Sequence, residues 1–308
     1  MARFPKLSSP QQLAQNANAN FKEYLGRMAD SAHFSTKQNV PSIIRANNCT
    51  RILDVGCADG AFTEMIALAN PQATVHGIDI NPECVKLAEQ LREPAPGGGD
   101  LTFNCEELAG VQGQFDCIVF SSVMHEISSY CGDETKRYTG VPIYEAIKEA
   151  CKHLTAGGII VIRDWVDCME GHLLRVKFKS LEYSGMFKLF QEEFPALDLC
   201  SISGMQMVRE DPETPDGWLV HQKLFMEYLM VATWGEKSWA REINERKFIC
   251  KKDAWYDMAE TAGLTVIGWL QTNEEYPIYC ERIAEVKLLD SKWRMPDTTF
   301  VMVCRKDN

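Results

Sequence analysis

Two stretches of this chain carry residues whose types and spacing could do chemistry. The first is DVGCADG, which places Asp54, Gly56, Cys57, Asp59 and Gly60 within seven residues, with Asp79 about twenty residues further on. A glycine turn running into a helix start aims backbone N–H groups at a ligand. A carboxylate at the distance of Asp79 is placed to accept both hydroxyls of a ribose. Asp54 and Asp59 beside the turn would repel a pyrophosphate and suit a ligand bearing positive charge. The glycine that a pyrophosphate turn needs at its second position is also missing, since Cys57 and Ala58 follow Gly56. The second stretch is SSVMHE, with Ser121, Ser122, His125 and Glu126. A histidine titrates near neutrality and can take a proton from a nucleophile, and an adjacent Glu can orient it or act itself.

These residues need elements to hold them. Ile52, Leu53 and Val55 form an apolar run of the kind that makes a buried parallel strand, and residues 61–69 change to helical spacing. Residues 73–80 read as a second strand ending on Asp79. Asn81 and Pro82 then cap and open a helix. Residues 101–104, 115–121 and 159–164 read as strands three to five, the last preceded by a helix over 142–154 with a glycine cap at 157–158. Strands alternating with helices imply right-handed crossovers and a parallel sheet. Residues 264–270 and 298–305 read as a sixth and a seventh strand closing as an antiparallel hairpin. Upstream, residues 11–28 read as a helix whose apolar face includes Phe21 and Tyr24.

The motifs together resemble those of the class I S-adenosylmethionine (SAM)-dependent methyltransferases. DVGCADG resembles their acid-x-Gly-x-x-x-Gly turn. Asp79, FDCIVFSSVMHE and LTAGGIIVI follow in the expected order. The resemblance implies an α/β fold: a Rossmann-like, seven-stranded, mostly parallel sheet with helices on both faces. It implies SAM as cofactor and S-adenosylhomocysteine as product. It assigns Asp54 and the Gly56 and Gly60 backbone to the methionine part of SAM, Asp79 to the ribose, and Ile80 and Glu106 to the adenine, with Cys57 and Asp59 as further cofactor-binding residues of the turn. Ser121 and Ser122 complete the cofactor set, with His125 and Glu126 as catalytic candidates.

Residues 165–252 break the strand–helix rhythm, and 173–193 and 219–233 read as helices. The expected organisation is an N-terminal helical segment (1–50), a SAM-binding core (51–164), an inserted helical cap (165–252) and a C-terminal completion of the core sheet (253–308). Tyr24, Asp164, Trp165, Tyr183 and Tyr228 are candidates for contact with a substrate under the cap. Arg163 and Asp164 are expected to pair with each other.

The net charge of −11 weakens nucleic acid as a partner, because such binding needs a positive field along the phosphates. No apolar run is long enough to span a bilayer. The twelve cysteines show no C-x-x-C pair and read as reduced cytoplasmic thiols, with no metal site expected. The expected function is methyl transfer to an O, N or C nucleophile of a small molecule, and a homo-oligomer is left open. Non-methyl SAM chemistry at the sulfonium, RNA or protein methylation, and a silent SAM-fold binding subunit share the same cofactor motifs and are the alternatives.

Overall fold

The computed structural model describes residues 35–92, 100–200, 208–273, 276–289 and 292–307. The expected helix at 11–28, and Tyr24 with it, lies outside the described residues. The first described helix, α1 (Ser35–Ala46), leads into β1 (Arg51–Val55), α2 (Ala61–Ala69), β2 (Thr74–Asp79), α3 (Pro82–Leu91) and β3 (Leu101–Cys105). Then come β4 (Phe115–Ser121), α4 (Met124–Tyr130), α5 (Gly140–His153) and β5 (Leu154–Trp165). The helix α3 starts as its sequence dictates, with the Asn81 side chain accepting the Glu83 N–H at 3.0 Å and Pro82 in the first turn.

The main sheet has seven strands in the order β3-β2-β1-β4-β5-β11-β9, where β9 is Leu264–Thr272 and β11 is Thr299–Lys306. Strands β1 to β5 pair in parallel, whereas β11 is antiparallel to both β5 and β9. This is the expected mostly parallel α/β sheet with its terminal hairpin. Alternate residues feed opposite faces. Ile52, Val75, Val119 and Val161 pack with Ile44 and Ile66 on one side. Leu53, Phe120, Ile160 and Ile162 pack with Ile143, Ile147 and Trp255 on the other. The chain runs outward from β1 to β3, then returns on the other side at β4. The crevice at the carboxyl ends of β1 and β4 is therefore the switch point where open α/β sheets bind ligands.

The fold departs from the sequence expectation in three places. The segment LTAGG is not a glycine cap: α5 ends at His153 and β5 begins at Leu154. The Lys306 ammonium closes that helix end, donating to the Cys151 and Leu154 carbonyls at 2.7 Å each. The cap is not purely helical. It contains a four-stranded antiparallel sheet in the order β10-β6-β8-β7, from β6 (Leu173–Phe178), β7 (Val208–Glu210), β8 (Gly217–His221) and β10 (Ala284–Leu288). Its helices are α6 (Leu181–Glu193), α7 (Gln222–Ala232) and the short α8 (Trp239–Glu242). The start of the first expected helix is in fact β6, because Leu174, Val176 and Phe178 alternate inward at period two while Arg175 and Lys177 face outward. Finally, the C-terminal segment serves both units. After α9 (Lys252–Thr261), β9 and β11 join the core sheet, while α10 (Tyr276–Ile283) leads into β10, the edge of the cap sheet.

The cap holds a core of its own. Phe187, Phe190, Phe225 and Tyr228 are fully buried, and Phe187 and Tyr228 meet edge to face at 4.9 Å. The described cysteines are free thiols.

Candidate functional site

The turn after β1 is shaped by positive φ. Gly56 (φ 76°) and Gly60 (φ 81°) sit in the left-handed region, and a Cβ would come within 2.6 Å of Val123 at Gly56 and 2.7 Å of Phe103 at Gly60. The Gly56 and Cys57 N–H groups donate to the Ile78 carbonyl, and the Ala58 N–H donates to an Asp79 carboxylate oxygen at 2.9 Å. The other Asp79 oxygen accepts the Asn81 N–H at 2.8 Å. Asp79 is thus locked to the turn it faces.

The turn opens into a cleft lined by Lys37, Asp54, residues 56–59, Ala61, Phe62, Ser121 and Ser122. Asp54 is almost wholly buried and accepts the Thr63 hydroxyl at 2.6 Å. Burial pushes its carboxyl up to about 6, against the opposing pull of Thr63 and Lys37. Asp59 and Asp79 are also raised by burial, and the N–H groups they accept hold them back. Burial and the neighbouring Asp54 push the Cys57 thiol far up, so it is not a nucleophile at neutral pH. Lys37, which the sequence reading missed, lies on α1 with its ammonium 5.6 Å from the Phe62 ring centroid. No local motif marks it; only the packing of α1 on α2 brings it here. The Ser121 hydroxyl is buried and has no partner among the described residues.

At the far end of β2, Ile80 is 43% exposed, and Glu106 accepts from the Asn104 amide at 3.0 Å with the His76 ring at 3.5 Å. The Glu106 N–H donates to the Asp79 carbonyl at 3.2 Å, which ties both ends of the acidic rim together.

His125 and Glu126 occupy a different environment from a free catalytic pair. His125 lies in the first turn of α4 and is buried, with Nδ1 at 3.0 Å from Asp164 and Nε2 at 3.5 Å from Glu245 of the cap. Asp164 also accepts the Met124 and Trp165 N–H groups at 2.8 and 2.9 Å. Burial and the nearby Lys247 push His125 down, but Asp164 and Glu245 outweigh them and carry it up to about 9. Burial pushes Asp164 up, and the His125 imidazolium reverses that and leaves it below the usual carboxylate range. A charged imidazole with a carboxylate at each nitrogen has no lone pair for a substrate proton, so this geometry does not support His125 as a base. Glu126 pairs with Arg241 at 3.0 Å, and Arg241 reaches Glu245 at 3.4 Å. The Lys247 ammonium bonds Glu245 and lies 3.1 Å from Glu242. His125, Glu126 and Glu245 offer ligand atoms within 4.8 Å of one another, the spacing of a metal site. Arg241 and Lys247 already bring two positive charges into that cluster, which is neutralisation by the protein itself.

The substrate candidates fare unevenly. Tyr228 is fully buried and donates its hydroxyl to the Tyr183 carbonyl at 2.7 Å, a cap-core bond rather than a contact surface. Trp165 is buried edge-on to His125 at 4.5 Å. Asp164 is consumed by His125. Arg163 and Asp164 point to opposite faces of β5, so the expected pair does not form: Arg163 bonds Thr36 at 3.0 Å and Ser122, while Asp164 bonds His125.

A family model described as a methyltransferase domain matches residues 46–263. The chain belongs to that family. It carries a methyltransferase domain over most of its length. It is similar to the mitochondrial ubiquinone biosynthesis O-methyltransferase of Saccharomyces cerevisiae, with 26% identity over 110 residues, 35% of each chain. It is also similar to the tRNA1(Val) (adenine(37)-N6)-methyltransferase of Yersinia pestis, with 26% identity over 140 residues, 42% of this chain and 54% of that one. The chain therefore spans only 35% and 54% of the lengths of these two relatives. Among solved structures, an O-methyltransferase family protein from Burkholderia thailandensis superposes with TM-score 0.53 at 12% identity, covering 97% of this chain and 64% of that one. That likeness shows a shared fold. No helix among the described residues is long and apolar enough to cross a membrane.

The cleft fits SAM on its own terms. Packing of Gly56 on Val123 and of Gly60 on Phe103 fixes the turn, acids flank it where the cofactor is cationic, and the Ser121 hydroxyl, unpartnered among the described residues, belongs to the cleft lining.

Proposed function

We propose that this methyltransferase acts on a small molecule, holding SAM in the cleft between the β1 turn and Ser121–Ser122. The observation that carries the cofactor pose is the arrangement of charge about the turn: Lys37 and Asp54 line the cleft, and Asp79 is fixed to the same turn by the Ala58 N–H. Lys37 faces the methionine carboxylate and Asp54 its ammonium. Asp79, already oriented by the Ala58 and Asn81 N–H groups, accepts the ribose hydroxyls. Ile80 packs on the adenine, and Glu106 accepts from its amino group. Bound SAM supplies an electrophilic methyl on a sulfonium. The chain's own share is to fix that methyl beside Ser121 and Ser122 and to exclude water with the cap.

Methyl transfer here rests on alignment, which converts a bimolecular displacement into a near-attack geometry. His125 contributes by holding the start of α4 to β5 and to the cap, not by moving a proton. A small acceptor is supported by the net charge of −11 and by a cap that folds as one unit over the strand ends.

Calorimetry with SAM and S-adenosylhomocysteine tests the pose. Asp79→Ala should weaken binding about tenfold or more, since it removes charge-assisted hydrogen bonds at ~1.5–3 kcal/mol each. Wild-type affinity in that variant would sink the ribose assignment. Incubation with methyl-labelled SAM and separated metabolite, RNA and protein fractions tests the acceptor. Label in the metabolite fraction is the expected result, and label confined to RNA or protein refutes the small-molecule reading.

A further inference from the structure

The cap reaches further than the substrate side of the core. Trp234, just after α7, packs on Cys84 at the start of α3. Ala58 of the glycine turn and Leu87 of α3 pack on the same cysteine. Ala58 is the residue whose N–H fixes Asp79. A tryptophan of the cap therefore stands beside the hinge between the turn and the ribose carboxylate. Seven residues on, Arg241 bridges Glu126 of the core and Glu245 of the cap at 3.0 and 3.4 Å. Burial raises both Asp79 and Cys84, and the Arg241 guanidinium is close enough to oppose that rise in each. Tyr130 on α4 secures the same segment, its hydroxyl lying 3.2 Å from Glu245 and 3.3 Å from the Arg241 carbonyl.

We infer that the cap completes the cofactor site itself: Trp234 walls the ribose side of bound SAM, and Arg241 is the positioning residue that holds that wall against Glu126. The inference rests on the cofactor pose proposed above. It gives the cap a second task. A segment anchored by Arg241 and Glu245 lies across the carboxyl ends of the strands, so the cofactor leaves only when that segment lifts. Trp234 has the large rigid face suited to covering a sugar ring, and its loss opens the ribose side of the site.

The test is SAM and S-adenosylhomocysteine binding to the full chain, by calorimetry and by stopped-flow dissociation. The variants are Trp234→Ala, Trp234→Phe, Arg241→Gln, the double variant Trp234→Ala/Arg241→Gln, and Asp79→Ala. Far-UV circular dichroism and ligand-free melting select variants that fold. Trp234→Ala should bind both ligands about tenfold more weakly through faster dissociation. Trp234→Phe should recover most of the loss, which a role in cap folding alone does not predict for the off-rate. Arg241→Gln should weaken binding in the same way, and the double variant should be no weaker than Trp234→Ala, because Arg241 acts through the tryptophan. Wild-type binding by Trp234→Ala alongside lost binding by Asp79→Ala overturns the inference and leaves the cofactor pose standing. Unchanged binding in both overturns the pose as well. Tighter binding by Trp234→Ala also overturns it, because the indole would then occupy space the cofactor needs.

Discussion

Replacing His125 by Gln tests the most consequential part of the site, the ion cluster that joins core and cap. In the wild type the imidazolium sits between Asp164 and Glu245, and its pKa rises from 6.5 to about 9. At ~1.4 kcal/mol per pH unit of displacement, this corresponds to about 3 kcal/mol of folding stability. A group raised in the folded state contributes fully below its unfolded pKa and loses that contribution as pH rises through the folded value. The contribution is therefore complete below pH 6.5 and gone above about 9. His125→Gln removes the charge and leaves two buried carboxylates one cation short, a loss of the ~3–5 kcal/mol class at pH 6. Urea unfolding of both proteins between pH 6 and 10 gives the comparison, and the difference between them isolates the histidine from other titrating groups. The gap should be about 3 kcal/mol or more at pH 6 and should shrink toward pH 10. A gap that stays constant with pH, or one below ~1 kcal/mol throughout, would refute the assignment of a charged, doubly bonded His125. Any loss of turnover should follow the loss of cap docking, so SAM affinity should fall with it. Slowed turnover with intact SAM affinity and stability would restore the proton-transfer role.

Gly60→Ala should destabilise the protein by ~1–3 kcal/mol, because the new Cβ meets Phe103 at 2.7 Å and φ is 81°; thermal melting reads this directly. SAM affinity should fall as pH drops below about 6, where Asp54 takes up the proton that a bound ammonium must displace; calorimetry in buffers of different ionisation enthalpy should register proton release there. Tyr228→Phe loses the bond to the Tyr183 carbonyl and should lower stability by ~1 kcal/mol with turnover unchanged, whereas a large change in substrate KM would return Tyr228 to the binding surface.

The sequence by itself determined the core sheet and the cofactor turn. Those features are local: a β-branched run before Gly56, helical spacing after Gly60, and Asn81-Pro82 opening α3 all act within a few residues. Asp54 and Asp79 stand beside that turn because a strand end places its carboxylate by chain geometry alone. The cap was half legible. Its aromatic content announced a core, but the short alternation at Leu174, Val176 and Phe178 was hidden beside a longer helical pattern, and its partner β10 lies more than a hundred residues away. What tertiary structure decided is the state of His125. Read as a motif, SSVMHE offers a free base beside a carboxylate. Only the fold brings Asp164 from β5 and Glu245 from the cap to its two nitrogens, and Arg241 to Glu126. Protonation is set by the charges within a few ångströms, and in this chain those charges come from residues 39 and about 120 positions away, distances that no local pattern records.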